Sequence, residues 1–215
     1  MTTLREQTEE KFANTRKNNP GFANRVDELL SSTEALQAAA KAIEVGEKAP
    51  DFELPNPQGE IVSLSKLLAQ GPLVVTFYRG SWCPYCNLQL RAMQQRLPEI
   101  HALDAELVAI SPAVPDQSLS QAQQQELAFP VLSDQDARVA SAYGVAWNVP
   151  DTILDHMRND RKLDLADING GNASVLPIPA TFVLNRDGVV TWRFVNVDYR
   201  QRAEPADVVA ALRER

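Results

Sequence analysis

The chain has two cysteines, Cys83 and Cys86, three residues apart in Trp82-Cys83-Pro84-Tyr85-Cys86. A pair at this spacing on a starting helix has its sulfurs at neighbouring positions, within the Cα separation of about 4.4–6.8 Å that a disulfide needs. Reversible disulfide formation is then geometrically cheap. The reactive form of cysteine is the thiolate, and its pKa of about 8.5 falls to roughly 3.5–7.5 where a helix N-terminus or a cation stabilises the anion. A zinc site would need four ligands; the two histidines, His101 and His156, are distant in sequence and match no finger spacing. An inert buried pair fits poorly, because Trp-Cys-Pro-Tyr-Cys is hard to place inside a core. Nothing in the sequence brings His156 within reach of either sulfur as a base.

A helix N-terminus beside the pair requires a strand that ends just before it. Leu73 to Tyr78 is a continuous apolar run of the length of a strand buried on both faces. Pro84 fits a first helical turn, and Leu88, Leu90, Met93 and Leu97 continue a helical pattern. Cys83 then stands at the end of a loop at the carboxyl edge of a sheet, where open α/β folds carry their reactive groups, and Cys86 lies in the first helical turn.

Strand and helix signals alternate around this unit. Short strands are predicted at 51–54 and 61–64, a second central strand at 106–111, a polar helix from Gln117 to Leu127, a short strand at 130–132 and a helix from Gln135 to Tyr143. Residues 147–178 break the rhythm. A helix is predicted from Pro150-Asp151 to about Arg161, then turn chemistry at Asn169-Gly170-Gly171-Asn172 and closure at Pro177 and Pro179, which reads as a mobile insert beside the site. Strands at 181–184 and 189–195, joined by the turn Asn185 to Gly188, and a last helix opened near Glu204-Pro205 complete the chain. The pattern predicts an α/β domain over 46–215 behind an N-terminal helical extension, 1–45. In that extension Thr3-x-x-Glu6 and Ser31-x-x-Glu34 have capping-box form, and Phe22, Val26, Leu29, Leu36, Ala40 and Ile43 recur at near-helical spacing, so two helices are expected. They would pack back on the domain or on the same arm of a second subunit in a homodimer.

The bulk numbers narrow the partners. A length of 215 residues with 44% hydrophobic and 23% charged residues fits one well-filled globular domain with an extension. A net charge of -7 disfavours phosphate backbones and anionic membrane surfaces, so neither nucleic acid nor membrane is an expected partner. The polar start Met1-Thr2-Thr3-Leu4-Arg5-Glu6 lacks the apolar core of a secretory signal, and no apolar run is long enough to span a bilayer. The expected location is the cytoplasm, where thiols stay reduced and a close cysteine pair reads as chemistry before it reads as a staple. No glycine-rich phosphate loop follows a strand, so neither a nucleotide nor a flavin cofactor is expected.

The motifs are similar to two related families. Trp82-Cys83-Pro84-Tyr85-Cys86 resembles the thioredoxin active-site turn, and Ile178-Pro179-Ala180-Thr181-Phe182-Val183-Leu184 resembles the stretch that holds a cis-proline beside a thioredoxin-like disulfide. Gly46-Glu47-Lys48-Ala49-Pro50-Asp51-Phe52, Phe77-Tyr78-Arg79-Gly80 and Phe129-Pro130-Val131-Leu132-Ser133-Asp134 instead resemble peroxiredoxins of the AhpC/TSA type. The resemblance spans about residues 46–195 and implies a thioredoxin-like fold. In peroxiredoxins a proline, a threonine four residues on and the peroxidatic cysteine three further follow a strand ending in Phe-Tyr. That pattern puts Arg79 at the proline, Cys83 at the threonine and Cys86 at the peroxidatic position. The family's arginine, two residues before Thr181, is Pro179 here. The chain therefore resembles the peroxiredoxin-like branch that carries a thioredoxin-type pair, and Arg79, Arg193 or Arg200 is left to supply a substitute guanidinium or to form a surface ion pair.

Three functions follow. The preferred one is a thiol peroxidase in which, by the resemblance, Cys86 attacks hydrogen peroxide or an organic hydroperoxide and Cys83 resolves the sulfenic acid to a disulfide, with thioredoxin or another dithiol as reductant. Its alternative is a disulfide reductase or redox relay, in which the more exposed Cys83 attacks a partner and Pro179 meets an extended substrate chain. The third is a sensor that signals its redox state through the insert. The residues expected to meet substrate are Pro179, Trp82 and Arg79; Trp82 would also shield the disulfide and shape a docking surface.

Overall fold

The computed structural model describes residues 2–32, 39–114 and 127–214. Two helices form the arm, α1 (Leu4–Asn18) and α2 (Pro20–Leu30). Thr3 caps α1 through the expected box, its hydroxyl accepting from the Glu6 amide while the Glu6 carboxylate accepts from the Thr3 amide. The second boundary differs from expectation. Helix α2 opens at Asn19, whose side-chain oxygen accepts from the Phe22 amide, with Pro20 as its first residue. Ser31 consequently sits at the end of α2, not at a start. Its proposed partner Glu34 and Leu36 lie outside the described residues, as does most of the helix expected over 117–127.

A hairpin, β1 (Glu53–Pro55) with β2 (Ile61–Ser63), and the short helix α3 (Leu64–Leu68) lead into the central sheet. That sheet is built from β3 (Leu73–Phe77), β4 (Glu106–Ser111), β5 (Val131–Ser133), β8 (Ala180–Leu184) and β9 (Val190–Val195), in the order β5-β4-β3-β8-β9. Strands β3, β4 and β5 run parallel, whereas β8 pairs antiparallel with both β3 and β9. Helix α4 (Pro84–His101) follows β3, α5 (Arg138–Ala142) follows β5, and α8 (Pro205–Arg213) ends the chain. This is a thioredoxin-like mixed sheet with helices on its faces.

Strand alternation divides the core. Leu73, Val75 and Phe77 of β3 face one side with Val108 and Phe182, against β1, α3 and α5. Val74 faces the other side with Leu107 and Val183, against Met93 and Leu97 of α4 and Val208 and Leu212 of α8. Between β5 and β8 the chain forms β6 (Ala146–Asn148), α6 (Asp151–Arg161), α7 (Leu165–Ile168) and β7 (Val175–Pro177), with β6 and β7 paired antiparallel. The insert is therefore a folded unit. Ile153, Met157 and Leu165 from it pack with Val26 and Leu30 of α2 in a third apolar cluster. The arm thus packs back on its own domain. Among the described residues no helix is long and apolar enough to cross a membrane.

Candidate active site

Strand β3 ends at Phe77, and the loop Tyr78 to Trp82 carries the chain to α4. Gly80 has φ 140°, a backbone shape that L side chains rarely adopt, and a Cβ there would stand 2.5 Å from the Trp82 indole nitrogen. Glycine is what lets Trp82 fold over this loop. Cys83 is the N-cap of α4, Pro84 its first residue, and Cys86 lies in its first turn. Both sulfurs are free thiols in fully buried side chains. The more exposed Cys83 expected of a disulfide reductase is therefore absent: Trp82, Tyr85 and Tyr199 pack with the pair and cover it.

Two buried guanidinium groups meet the two sulfurs. Arg79 donates from Nη2 to Cys83 Sγ at 3.2 Å, and its backbone amide approaches Cys86 Sγ at 3.5 Å. Its guanidinium lies 3.9 Å from the centre of the Tyr199 ring and 5.2 Å from that of Trp82. Arg202 donates from Nη2 to Cys86 Sγ at 3.5 Å, from Nη1 to Gln89 Oε1 at 2.9 Å and from Nε to the Tyr199 carbonyl at 2.9 Å. Gln89 in turn donates to the hydroxyls of Thr76 and Thr181, which are 3.0 Å apart. A polar chain therefore runs from Cys86 into the sheet.

These charges separate the two thiols. Burial alone pushes the Cys83 thiol up, but the hydrogen bond from Cys86 and the guanidiniums of Arg79 and Arg202 outweigh it and hold Cys83 well below the usual thiol range. Cys86 moves the other way: burial and the proton it shares with Cys83 raise it well above that range, against the pull of Arg202 and Arg79. The N-terminal end of the 18-residue helix α4 adds its positive dipole at Cys83. Of the two thiols, Cys83 is thus the one whose ionised form its surroundings favour.

The remaining site predictions divide. Arg193 is bound to the carbonyls of Ala42 and Ile43 and to Glu44, and Arg200 to Asp198 and Asp27, so both are structural ion pairs away from the sulfurs. Arg79 alone of the three predicted arginines reaches a cysteine. The peptide bond before Pro179 is trans, in contrast to the cis-proline of the resembling stretch. The Pro179 carbonyl accepts from the Asn196 amide at 3.3 Å, which extends the β8–β9 ladder straight into Ala180. His156 stacks on Phe22 with ring centres 3.7 Å apart and bonds Asp160 at 2.6 Å. Arg202 and Gln89 went unpredicted. A sequence signal existed for Gln89, a polar residue at i+3 from Cys86 on the apolar face of a helix; for Arg202 none did.

A cavity of about 290 Å³ opens against this cluster. Arg79 and Trp82 form part of its wall together with residues of α1, α2 and α6. Pro179 is not among the lining residues.

The AhpC/TSA family profile matches residues 45–193, more than half of the chain. This chain belongs to the AhpC/TSA family. In sequence it is similar to the putative peroxiredoxin bcp of Haemophilus influenzae, 34% identical over 103 residues that cover 48% of this chain and 66% of that one. It is 31% identical to peroxiredoxin Bcp of Escherichia coli over 103 residues, 48% of this chain and 65% of that one. Both alignments span just under two thirds of the relative's length. Among solved structures, peroxidoxin BcpB from Mycobacterium tuberculosis superposes with a TM-score of 0.61 at 24% identity, covering 80% of this chain and 97% of that chain. The fold is the same. Helices α1 and α2 precede the matched AhpC/TSA region, as Arg202 follows it, so part of the cavity wall and one of the two guanidiniums lie outside the family match.

Proposed function

We propose that the chain is a thiol-dependent peroxidase that reduces hydrogen peroxide or an organic hydroperoxide through a Cys83/Cys86 dithiol–disulfide cycle and is recycled by thioredoxin or a similar dithiol. The observation that carries this reading is the buried cluster of Arg79, Cys83, Cys86 and Arg202, in which each sulfur has its own guanidinium. Two cations at the pair supply the polarisation that the missing family proline, threonine and arginine leave open. Full burial of both sulfurs favours a small oxidant over a protein disulfide as the first electrophile.

In the cycle that the electrostatics favour, the Cys83 thiolate attacks the terminal peroxide oxygen, the O–O bond breaks, and Cys83 becomes a sulfenic acid. The leaving alkoxide or hydroxide takes the proton that Cys86 has retained. The resulting Cys86 thiolate attacks the Cys83 sulfur, hydroxide leaves, and the disulfide forms. One peroxide is reduced by two electrons and two thiols are oxidised. An external dithiol then exchanges with the disulfide and leaves oxidised. The family register supports the opposite order, with Cys86 attacking and Cys83 resolving.

Stopped-flow oxidation of the reduced protein and of Cys83→Ser and Cys86→Ser, with a dimedone-type trap, tests both points. The expected result is fast oxidation in Cys86→Ser with the sulfenic acid trapped on Cys83. Trapping on Cys86 in Cys83→Ser, with Cys86→Ser inert, would establish the family order instead. Oxidation no faster than that of a free thiol removes the peroxidase reading altogether.

A further inference from the structure

The segment after β9 reaches the cysteine pair although it lies beyond the family match, which ends at residue 193. It is a turn held by its own side chains. The Asn196 side-chain oxygen accepts from the Asp198 amide at 2.9 Å, and the Asp198 carboxylate accepts from the Arg200 amide, Nε and Nη2 at 2.9, 2.7 and 2.8 Å. Arg200 Nη1 also donates to Asp27 of α2 at 2.6 Å, which fastens the turn to the arm. Bidentate arginine–carboxylate pairs fix geometry more closely than single contacts do. The backbone of Tyr199, between Asp198 and Arg200, is set by this frame.

Tyr199 touches both guanidiniums of the pair. Its carbonyl accepts from Arg202 Nε at 2.9 Å, and the centre of its ring is 3.9 Å from the Arg79 guanidinium, against 5.2 Å for the ring of Trp82. Tyr85, which stands between the two cysteines on α4, meets the Tyr199 ring edge-on at 5.6 Å and 74° and buttresses it. Stacking matters for Arg79 because its hydrogen bonding is incomplete: Nη2 donates to Cys83 Sγ at 3.2 Å, and Nε is buried without an acceptor. A guanidinium held through one nitrogen can pivot about it, whereas an aromatic face fixes its plane.

We propose that Tyr199 is a positioning residue of this site: its ring holds the Arg79 guanidinium against the Cys83 sulfur and thereby sets the reactivity of that sulfur toward an electrophile. The assignment rests on the peroxidase reading only for the identity of the electrophile. It makes the turn after β9, with the α2 carboxylate that fastens it, part of the reactive centre.

Tyr199→Phe keeps the ring and Tyr199→Leu removes it, while both keep the carbonyl that binds Arg202. Thiolate absorbance against pH reads the two coupled ionisations of the pair. The lower step should rise by about one pH unit in Tyr199→Leu, a tenfold change in the ionisation constant, and Tyr199→Phe should titrate as the native chain does. Single-turnover peroxide rates should follow the thiolate fraction in each protein. A ring that merely covered the sulfurs would act differently: its loss would speed iodoacetamide alkylation at every pH and leave the midpoint in place, and that outcome overturns the proposal. An equal rise in Tyr199→Phe overturns it too, since the effect would then belong to the hydroxyl. If Tyr199→Leu shows no cooperative urea transition, Tyr199→Met, which fills more of the ring's volume without an aromatic face, carries the same expectations. A raised midpoint in a protein that peroxide oxidises no faster than a free thiol removes the peroxidase reading and leaves the role of Tyr199 standing. Fast peroxide oxidation with an unmoved midpoint does the reverse.

Discussion

Cys83 and Cys86 are three residues apart on one helix, yet their surroundings are opposite in kind. Around Cys86 the polar groups form a chain: Arg202 donates to the sulfur, to Gln89 and to the Tyr199 carbonyl, and Gln89 passes the chain on to Thr76 and Thr181. Around Cys83 the guanidinium is held by one sulfur contact and by stacking on Tyr199 and Trp82, and its buried Nε has no acceptor. The first surrounding is a closed polar network that fixes a thiol. The second sets a guanidinium and the helix N-terminus against the cysteine whose thiol is lowered. A helix turn is enough to set two thiols apart electrostatically when the two flanks pack against different things.

The most damaging way to break this contrast is Arg79→Met. Cys83 would lose its nearest cation, its thiol would rise toward or above the usual value of about 8.5, and the peroxide rate at neutral pH would fall on the order of 100-fold. In the native chain the Cys83 pKa is depressed, so the thiolate and the rate persist through neutral pH and decline only as the pH falls through the folded-state value. In the variant the rate should climb with pH into the alkaline range. Thiolate absorbance and single-turnover rates against pH check both statements, and Arg79→Lys should restore part of the effect through its charge. An unaltered pH profile in Arg79→Met would mean that the cation does not govern Cys83.

Arg202→Met probes the other flank, and its main effect should be on stability. It leaves the Gln89 carbonyl oxygen, in a side chain that is 1% exposed, without its donor, at a cost of about 2 kcal/mol in a urea titration. Combining it with Gln89→Met should cost less than the sum of the two single changes, because the same network is lost once. Strict additivity would show that Arg202 and Gln89 are not one unit.

This division bears on what the sequence could reveal. The strand β4 has the expected bounds, α4 starts at the expected proline, and α6 ends at Arg161, about where the helix opened by Pro150-Asp151 was expected to end. Those elements are fixed by local pattern. Cys83, Arg79 and Trp82 come together because they lie within one strand–loop–helix unit, so their spacing already implied a site. Arg202 does not, since it is 116 residues from Cys86 and only the packing of the loop after β9 against α4 brings them together. The α2 boundary was missed for a smaller reason: Asn19-Pro20 is the stronger start signal and Ser31 merely shares the box pattern. The direction of β8 was not readable either, because strand order depends on long-range pairing.

The mildest change, Asp27→Asn, asks how far the arm contributes to the reactive flank. Asp27 of α2 accepts from Arg200 Nη1 at 2.6 Å and is also bound by Arg16, while Arg200 stands beside Tyr199, the residue on which Arg79 stacks. Burial opposes its ionisation, but the two arginines outweigh that and hold its carboxyl below the usual range. A lowered carboxylate contributes stability that is complete above its unfolded pKa of about 3.9 and disappears as the pH falls through the folded value. Its pair with Arg200 is partly exposed, so Asp27→Asn should cost no more than about 1 kcal/mol at neutral pH, with the difference from the native chain closing in acid. Hydrogen exchange should show the loss concentrated in α1 and α2, with the Cys83 thiolate titration moved far less than by Arg79→Met. If the arm loosens and the Cys83 titration shifts as much as in Arg79→Met, the position of Arg79 depends on the arm, and the reactive flank extends from the cavity to the N-terminal helices.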